Sequence, residues 1–567
     1  MLQMKNNYIS GAEAVMKSLT QEGVDTIFGY PGGAIMPIYD ALYSYRDQVN
    51  HLLVRHEQGA IHAAQGYARS SGKVGVCFAT SGPGATNLIT GLADAMIDST
   101  PVVCITGQVA SHLLGTDAFQ ETDVIGISMP VTKWNIQVTR AEDVPGAIAK
   151  AFYIARSGRP GPVLVDITKD AQFGETTFEY QPFLKMRSYS PVPKIDVAAL
   201  NAAAELINSA QRPYLLVGQG VLLSNAESEL LDFVNHTGIP VASTLLGLGA
   251  LPANHPQYVG YLGMHGNYAP NVLTNECDVL IAVGMRFDDR VTGNISKYAK
   301  QAKVIHIDID PSEINKIIPA RVGLVADAKE LLPKLKGKCQ QRNHSEWIEE
   351  FHKLDKLEHE QVIDGAINPS SNELRMAEVI HMLSEKTKGD VVVVTDVGQH
   401  QMITSRYFKY EVSRTNITSG GLGTMGFALP AAIGAKLGNP KKTVVAVIGD
   451  GGFQMTVQEL GTIMQFNVDV KILILNNNFL GMVRQWQELF FEERYSFTDI
   501  QNPDFVKIAE GYRIESTKIE ERDDLSSALD KMLNSHGAYL LEVVVGKQEN
   551  VFPMMETGAG VNEIRLN

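Results

Sequence analysis

The chain lacks several features that would mark particular protein classes. It has only 4 cysteines among 567 residues, and they are scattered without the close spacing of metal ligands. No apolar stretch reaches the roughly 20 residues that a membrane span needs, and no apolar leader stands at the amino terminus. Cys77 and Cys104 lie inside apolar runs, which is typical of small buried thiols. The sequence therefore predicts a cytoplasmic protein with reduced thiols.

An excess of positive charge is also missing. The 49 Lys and Arg residues against 63 Asp and Glu give a formal net charge of −14. This balance argues against a nucleic-acid surface but does not exclude anionic substrates, which bind to locally placed cations. The 44% hydrophobic and 20% charged residues are ordinary for a globular protein. The length predicts roughly three or four domains.

What the chain does have is a repeated rhythm of apolar strand, Gly-rich turn and helix. Ser10, followed by Glu13, has the pattern of a capping box and predicts that the first helix begins there. A proline-rich linker at 189–193 and a charged helical stretch at 328–360 separate three sets of strands. The strand segments are 26–33, 74–84, 102–107 and 160–167 in the first set, 214–220, 279–284 and 304–310 in the second, and those after Val391 in the third. The pattern predicts an α/β fold of three doubly wound parallel-sheet domains, with the first and third alike.

Two segments of the third set carry the most functional information. Each is a short apolar run that stops at an oxygen-bearing side chain, Asp450 after 444–449 and Asn477 after 471–476. The two runs are one helix-containing crossover apart, which is the length of a parallel βαβ unit. We therefore expect the Asp450 carboxylate and the Asn477 amide to emerge together at the carboxyl ends of adjacent strands. Such a pair suits Mg²⁺, which takes its remaining ligands from phosphates.

The alternative interpretation is that these segments are only a tight turn and a polar loop. Gly and Asn are the commonest turn residues, so either segment alone would favour that interpretation. Two buried strands that end in this way at this spacing favour a metal and diphosphate site instead. The glycines after Asp450 allow backbone amides to approach a diphosphate. The combination resembles the Gly-Asp-Gly to Asn-Asn signature of thiamine-diphosphate enzymes.

Glu57 is the second candidate, at the point where a short strand runs into a helix. A carboxylate in that position is commonly a helix-start residue favoured by the macrodipole. In a thiamine enzyme, however, the aminopyrimidine of the cofactor needs a carboxyl partner at its ring nitrogen, and the cofactor then acts as its own base. A separate catalytic histidine is not required.

Further motifs extend the resemblance over nearly the whole chain. They occupy residues 29–34, 55–58, 80–87, 115–121, 158–163, 263–266, 286–293, 398–402, 419–426 and 481–487. Together they resemble the catalytic subunits of biosynthetic acetolactate (acetohydroxyacid) synthases. Several of these motifs are not shared by other thiamine enzymes, so the resemblance is specific to that family.

The resemblance implies a role for each matched residue. It implies reacting-centre roles for Glu57, Gln120, Gly423 and Met425, and Mg²⁺ ligation by Asp450, Asn477 and the backbone oxygen of Phe479. It implies substrate contacts by Phe119, Lys169, Arg290 and Trp486, with the last two receiving the second 2-keto acid. It implies FAD contacts by Arg159, His265, Arg286, Asp308 and Asp327, and further thiamine-diphosphate contacts by Gly398, Gln399, His400, Gly421, Gly451, Gly452 and Met482.

Some of these residues also have structural interpretations. Arg290 follows two aspartates, which is typical of a surface ion pair, and Asp308 ends a predicted strand. Met425 and Trp486 are large apolar residues that pack in many cores. Two positions depart from the family pattern: Ala110 stands where many members have proline, and Thr168 replaces the frequent proline before Lys169. We expect both departures to affect inhibitor or loop behaviour more than chemistry.

The resemblance also implies a reaction and its partners. Pyruvate would be decarboxylated on thiamine diphosphate, and the two-carbon unit condensed with a second pyruvate or with 2-ketobutyrate, in branched-chain amino-acid biosynthesis. FAD would be present without net redox work. The implied assembly is a homodimer or homotetramer with active sites at the subunit interface, joined by a small regulatory subunit.

The predicted domains are a pyrimidine-binding domain (1–188), a central FAD-associated domain (194–335), a helical linker (336–370) and a diphosphate and Mg²⁺ domain (371–567). A flavin-dependent enzyme of the pyruvate oxidase type is the alternative function, and the motif at 286–293 and Trp486 argue against it. A non-catalytic scaffold subunit is a third possibility, and it would lack Glu57 or Asp450.

Overall fold

Residues 8–567, which the computed structural model describes, contain three six-stranded parallel sheets and two small two-stranded ones. The predicted α/β fold class is confirmed. The four cysteines are free and buried. Within the described residues, no helix combines the length and the apolar character that crossing a bilayer requires.

The first domain is built on a sheet with the strand order β3-β2-β4-β5-β7-β6. Ser10 caps the first helix by accepting a hydrogen bond from the Glu13 amide, 3.1 Å away, as the sequence predicted. The elements are β1 Tyr8–Ser10, α1 Gly11–Gln21, β2 Thr26–Gly29, α2 Met36–Tyr43, β3 Asn50–Leu53, α3 Glu57–Ser71, β4 Gly75–Ala79, α4 Pro83–Thr86, α5 Ile89–Ile97, β5 Val102–Gln108, α6 Val124–Ser128, β6 Trp134–Val138, α7 Val144–Arg156, β7 Val163–Thr168, α8 Lys169–Phe173 and β8 Glu175–Thr177.

The central domain has the strand order β11-β10-β9-β12-β13-β14. Counted along the chain this is 3-2-1-4-5-6, the order of dinucleotide-binding folds, whose ligands lie at the carboxyl ends of the strands. The elements are α9 Val197–Ser209, β9 Pro213–Val217, α10 Gln219–Leu223, α11 Glu227–Thr237, β10 Val241–Ser243, β11 Tyr258–Tyr261, α12 Tyr268–Thr274, β12 Val279–Val283, α13 Asp289–Thr292, β13 Lys303–Asp308, β14 Val322–Val325 and α14 Ala328–Lys336. Two helices, α15 Ser345–Glu358 and α16 Asp364–Ile367, then lead to the third domain through a π-helical turn at His359–Ile363.

The third domain repeats the topology of the first. Its strand order is β16-β15-β17-β18-β20-β19. When the six strands of each sheet are numbered in chain order, both sheets have the order 2-1-3-4-6-5. The predicted likeness of the two domains is confirmed. The elements are α17 Met376–Thr387, β15 Val392–Thr395, α18 Gln399–Tyr407, β16 Asn416–Thr418, α19 Ala428–Gly438, β17 Val444–Gly449, α20 Asp450–Met455, α21 Leu460–Phe466, β18 Lys471–Asn476, α22 Gly481–Phe490, α23 Phe505–Gly511, β19 Glu515–Ile519, α24 Arg522–Asn534, β20 Tyr539–Val544, β21 Met554–Met555 and β22 Ile564–Arg565.

Helices α3 and α19 join the first domain to the third within one chain. They cross with almost no side chain between them: a Cβ on Gly434 would lie 1.7 Å from the Ala63 carbonyl oxygen, and one on Gly66 would lie 1.9 Å from that of Ala431. Around this crossing, apolar side chains of both domains form one continuous core. The two domains are therefore fixed to each other through backbone contact.

Candidate active site

A cavity of about 990 Å³ lies where the carboxyl ends of the central and third sheets face each other. Segments of the first domain around Ser99 and Arg159 close one side of it. Most of the predicted site residues line this cavity: Arg159, His265, Arg286, Arg290, Asp308, Asp327, Gly398, Gln399, His400, Gly421, Gly423, Met425, Asp450, Gly451, Gly452, Asn477, Phe479, Met482 and Trp486.

The predicted pair of oxygen donors sits at one end of the cavity. Strands β17 and β18 are parallel neighbours, with Gly449 opposite Leu475. Asp450 and Asn477 follow these strands directly, so both side chains leave the same edge of the sheet. The expectation that the two emerge together is therefore confirmed.

The donor set matches the chemistry of Mg²⁺. Asp450 and Asn477 supply a carboxylate and an amide oxygen, and Phe479 lines the cavity beside them. Among the described residues, no group of three or more His, Cys, Asp or Glu is placed to hold a metal. One carboxylate with neutral oxygens suits Mg²⁺, which keeps waters and phosphate oxygens as further ligands, and does not suit an all-protein cage.

Asn502 supports the Asp450 carboxylate from outside the cavity. Its amide nitrogen lies 2.6 Å from Asp450 Oδ2 and also reaches the side-chain oxygens of Asn476 and Asn478, at 2.9 and 3.0 Å. Burial raises the pKa of Asp450 to about 6. A nearby cation would favour the ionised form and lower that pKa. Sequence reasoning missed Asn502, because no motif links it to strands that end 26 residues or more before it.

Two buried histidines present unpartnered nitrogens at the cavity. His400 Nε2 and His265 Nδ1 have no hydrogen-bond partner within the described part of the chain. Burial lowers the pKa of His400 to about 4 and that of His265 to about 3, so both rings are neutral near pH 7. Buried polar atoms are nearly always satisfied. Both residues line the cavity, so a small adjustment of either ring would bring its free nitrogen to a polar ligand there.

Glycines give the third-domain wall its shape. Gly423 has φ +71° and Gly398 has φ +152°, conformations that a side chain rarely adopts. A Cβ on Gly452 would lie 2.5 Å from Asp396 Oδ1. The backbone therefore stands close to the cavity at the positions predicted to contact thiamine diphosphate.

The central-domain side of the cavity carries the residues predicted to bind FAD. Asp308 ends β13 and Asp327 follows β14, at the carboxyl edge where dinucleotide folds bind the ribose. Burial raises the pKa of Asp308 to about 6. Arg159 reaches across from the first domain to Asp310 and Glu313, at 3.2 and 2.7 Å. Carboxylates, a guanidinium and an unpartnered histidine nitrogen together suit the ribose and phosphate groups of a dinucleotide.

The predicted acceptor residues lie on facing elements. Trp486, on α22, packs against Phe490 with ring centroids 4.9 Å apart and also lines the cavity. Arg290 Nη1 lies 3.2 Å from Met264 Sδ, and its Nε lies 3.7 Å from Asp289. The surface ion pair considered for Arg290 is thus present. It is weak, because both side chains are more than half exposed, at 62% and 81%.

Four predicted residues do not line this cavity: Glu57, Phe119, Gln120 and Lys169. All belong to the first domain. Glu57 begins α3, and its Oε2 accepts a hydrogen bond from Asn87 at 2.9 Å. Phe119 is 88% exposed, and the next residue, Gln120, has φ +60°. An exposed aromatic ring beside a left-handed non-glycine residue is unusual in a structure that only has to pack.

Sequence reasoning also missed a buried ion pair behind the cavity wall. Glu358 of α15 pairs with Arg406 of α18, and both side chains are at most 1% exposed. Arg406 donates to the Gly266 carbonyl at 2.7 Å, and Glu358 accepts from the Tyr268 amide at 2.6 Å. The pair therefore holds the loop that carries His265. The one available signal is that Glu358 puts a charge on the buried face of α15, which otherwise consists of apolar residues such as Trp347 and Phe351.

Three family models match the chain. They are the thiamine pyrophosphate enzyme N-terminal TPP-binding domain over residues 9–127, the central domain over 200–335 and the C-terminal TPP-binding domain over 396–543. Each falls on one of the three sheets.

Curated relatives match over almost the entire length. The acetolactate synthase isozyme 2 large subunit of Escherichia coli is 49% identical, covering 98% of this chain and 99% of its own. The acetolactate synthase large subunit of Corynebacterium glutamicum is 46% identical, covering 98% and 90%. The probable acetolactate synthase large subunit of Methanocaldococcus jannaschii is 45% identical, covering 98% and 95%.

Proposed function

The chain belongs to the acetolactate synthase large subunits within the thiamine pyrophosphate enzymes, and from this premise we propose how its residues divide the reaction between them. Its activity is that of acetolactate synthase, a transferase (EC 2.2.1.6) of branched-chain amino-acid biosynthesis that acts on pyruvate with thiamine diphosphate as cofactor. A redox activity of the pyruvate oxidase type is not favoured.

The cavity end that holds Asp450 is proposed as the diphosphate site. Asp450, Asn477 and the Phe479 carbonyl would hold Mg²⁺, and Gly451 and Gly452 would bring backbone amides to the diphosphate. The cofactor supplies the carbanion chemistry that joins two keto acids. Gly423 and Met425 would orient its pyrimidine. The shared lining of Asp450, Asn477 and Phe479 at the ends of two adjacent strands is the observation that carries this proposal.

FAD is proposed along the central-domain wall, with Arg159, His265, Arg286, Asp308 and Asp327 as its contacts. Arg290 would hold the carboxylate of the second keto acid through its guanidinium fork. Trp486 would face the alkyl end of that acceptor, which distinguishes 2-ketobutyrate from pyruvate. The site is thus proposed to accept both keto acids.

We further propose that a second copy of the chain completes each site. Glu57, Phe119, Gln120 and Lys169 do not line the cavity of their own chain, although the resemblance implies catalytic or substrate-binding roles for them. Phe119, Phe173, Met36 and Met129 are exposed apolar side chains of the same domain, which suits an interface. A homodimer or homotetramer in the cytoplasm, with a separate regulatory subunit, follows as the proposed assembly.

The decisive experiment is anaerobic incubation of the enzyme with pyruvate, thiamine diphosphate, Mg²⁺ and FAD, followed by identification of the product. We expect 2-acetolactate and CO₂, and 2-aceto-2-hydroxybutyrate when 2-ketobutyrate is added. Acetate or acetyl phosphate formed only when an electron acceptor is supplied would contradict the proposal and favour the oxidase alternative.

A further inference from the structure

A loop of the third domain, residues 419–426, is held by three carboxylates. Asp396 belongs to the same domain, and Asp94 and Asp98 belong to the first domain. It carries Gly421, Gly423 and Met425, which line the cavity. At its far end, Asp396 accepts hydrogen bonds from the Gly426 and Ala428 amides, both at 2.9 Å. At its near end, the acceptors come from the first domain: Asp94 lies in α5, and Asp98 directly follows that helix.

Asp98 accepts hydrogen bonds from the backbone of the loop. Its Oδ2 accepts from the Gly420 amide at 2.8 Å, and its Oδ1 accepts from the Gly421 amide at 2.7 Å. A Cβ on Gly421 would lie 2.8 Å from the same Oδ1, so the contact requires glycine there. Asp98 is 1% exposed and pairs with Arg69 of α3 at 2.9 Å. Arg69 in turn donates to the Thr418 carbonyl, at the end of β16.

Asp94, one turn earlier on α5, accepts hydrogen bonds from side chains of the loop. Its Oδ1 accepts from the Ser419 hydroxyl and from the Thr424 hydroxyl, the latter at 3.0 Å. The Ser419 hydroxyl accepts from the Thr424 amide at 2.8 Å, which closes the loop on itself. Asp94 is fully buried. Two carboxylates a turn apart therefore bind one six-residue turn of another domain, residues 419–424: Asp94 binds its first and last residues, and Asp98 binds the two amides after the first.

We propose that Asp94 and Asp98 are positioning residues. They fix the position of the 419–424 turn relative to the cavity, and thereby the positions of Gly423 and Met425. The proposal rests on the proposed function, because it assigns that turn to cofactor orientation. Stability alone does not explain two buried carboxylates at this position, because burying a charge costs free energy unless the charge is paired and hydrogen-bonded. Asp98 is paired with Arg69 and hydrogen-bonded to two amides of the loop, and Asp94 is hydrogen-bonded to two hydroxyls of the loop.

The first test removes the grip on the backbone. Asp98→Asn offers one acceptor and one donor to two donating amides, so one amide loses its partner. Hydrogen–deuterium exchange of the cofactor-free enzyme should show faster exchange in peptides covering 418–427. The affinity for thiamine diphosphate, read by calorimetric titration, should fall roughly tenfold, as expected for one lost hydrogen bond to a charged group. At saturating cofactor, kcat should recover to within about threefold of wild type.

Asp278 provides a matched control. Its carboxylate also accepts from two successive amides, those of Gln211 and Arg212 at 2.7 and 3.0 Å, at an edge of the central domain. Asp278 is only partly buried, so Asp278→Asn should lower the Tm less than Asp98→Asn does, and it should leave loop exchange and cofactor affinity unchanged. If it weakens cofactor binding as strongly as Asp98→Asn does, the effect is general destabilisation and the proposal fails.

A second pair of variants decides the matter even if Asp98→Asn does not fold. Both hydroxyls donate to the same oxygen of Asp94, Oδ1. Asp94→Asn therefore keeps an acceptor for both hydroxyls and should behave as wild type. Asp94→Leu has a similar size without an acceptor and should give the fast loop exchange and weak cofactor binding. Equal behaviour of the two variants would overturn the proposal. The exchange measurement is made without cofactor or substrate, so its outcome does not depend on whether the wild-type enzyme forms acetolactate.

Discussion

At the scale of single residues, the cavity end is organised around one carboxylate. Asp450 has a partly buried neighbour, Asn502, that donates to it, and Asn477 and Phe479 line the cavity beside it. Burial keeps its pKa near 6 in the absence of a cation. A site of this kind gains most of its cation affinity from that one charge and from the phosphate that the cation brings.

Asp450→Ala should therefore abolish Mg²⁺-dependent binding of thiamine diphosphate, with a loss of more than roughly a hundredfold. Calorimetric titration with and without Mg²⁺ measures it. Asp469→Ala is the control, because Asp469 pairs with Lys471 at 2.7 Å, at the amino end of the neighbouring strand β18 and away from the cavity. Wild-type-like binding by the Asp450 variant would show that the metal lies elsewhere.

Glu57→Gln should fold and bind thiamine diphosphate but activate it slowly. The amide keeps the size of the side chain and its contact with Asn87, yet it does not favour the imino tautomer of the pyrimidine as a carboxyl does. The rate of thiazolium C2-proton exchange reports this step. Glu13→Gln, at the first turn of α1, removes an exposed carboxylate in a similar helix position and should leave the rate unchanged. An unchanged rate in the Glu57 variant removes this residue from the mechanism.

Trp486→Leu should keep acetolactate formation and lower the share of acetohydroxybutyrate when both acceptors compete. One methylene in an apolar pocket is worth about 1 to 3 kcal/mol. Arg290→Gln should depress both products, because both acceptors carry the same carboxylate. The product ratio at fixed keto-acid concentrations is the measurement, and Trp134→Leu, on strand β6 outside the cavity, is the control. A wild-type ratio in the Trp486 variant would mean that this ring only packs.

The residues that could be predicted from the sequence share a local signal. Asp450 and Asn477 each end an apolar run, so their meeting at one sheet edge follows from strand polarity alone. Asp98 and Asn502 have no such signal. Asp98 meets amides 322 and 323 residues away, and that contact exists only because two domains pack through helices that look ordinary in sequence.

At the scale of elements, the crossing of α3 and α19 sets the geometry between domains. Gly66 and Gly434 allow the two helices to approach until backbone meets backbone. The hydroxyl of Ser70 donates to the Ala435 carbonyl at 3.0 Å across the same crossing. Any added volume has to push the helices apart, because the obstructing atoms belong to the main chain.

Gly434→Ala should accordingly destabilise the enzyme by about 2 kcal/mol or more, since overpacking commonly costs 1 to 3. The Tm and the urea midpoint measure this loss. Gly146→Ala is the control: Gly146 is also helical, on α7, but a Cβ there meets no atom of residues 8–567 within 4 Å. That variant should be neutral or slightly more stable, because alanine favours the helix. Equal stability of the two variants would contradict the close crossing.

The elements predicted correctly were the central strands. Segments such as 74–84 and 102–107 are apolar runs buried on both faces, and they form β4 and β5. Among the edge strands, β3 was predicted and β6 and β19 were missed: these two are only partly buried, so their residues are mixed and show no apolar run. Short strands such as β10 and β16, three residues each, carry too little pattern to be recognised.

At the scale of the whole molecule, the proposed dimer divides each active site between two chains. One chain supplies Asp450 and the cavity, and the other supplies Glu57. This arrangement makes a prediction that no single-chain site shares. Two inactive variants, each defective in a different half, should restore activity when they exchange subunits.

Mixing Glu57→Gln chains with Asp450→Ala chains in equal amounts, followed by subunit exchange, should recover about a quarter of wild-type activity. Half of the dimers are then mixed, and each mixed dimer has one site with both residues intact. Acetolactate formation before and after mixing is the measurement. Each variant mixed with itself is the control, and no recovery in the hybrid would mean that Glu57 and Asp450 serve the same chain.

Helix α3 has a mechanical consequence for such an assembly. Glu57 is its first residue and Arg69 lies in its last turn, so a rise of 1.5 Å per residue separates them by about 18 Å. A continuous helix is stiff along its axis, and α19 prevents this one from sliding at its middle. In the proposed dimer, one end touches the partner's pyrimidine and the other supports the turn above the chain's own cavity. Each subunit therefore acts as a strut of fixed length between two reaction centres.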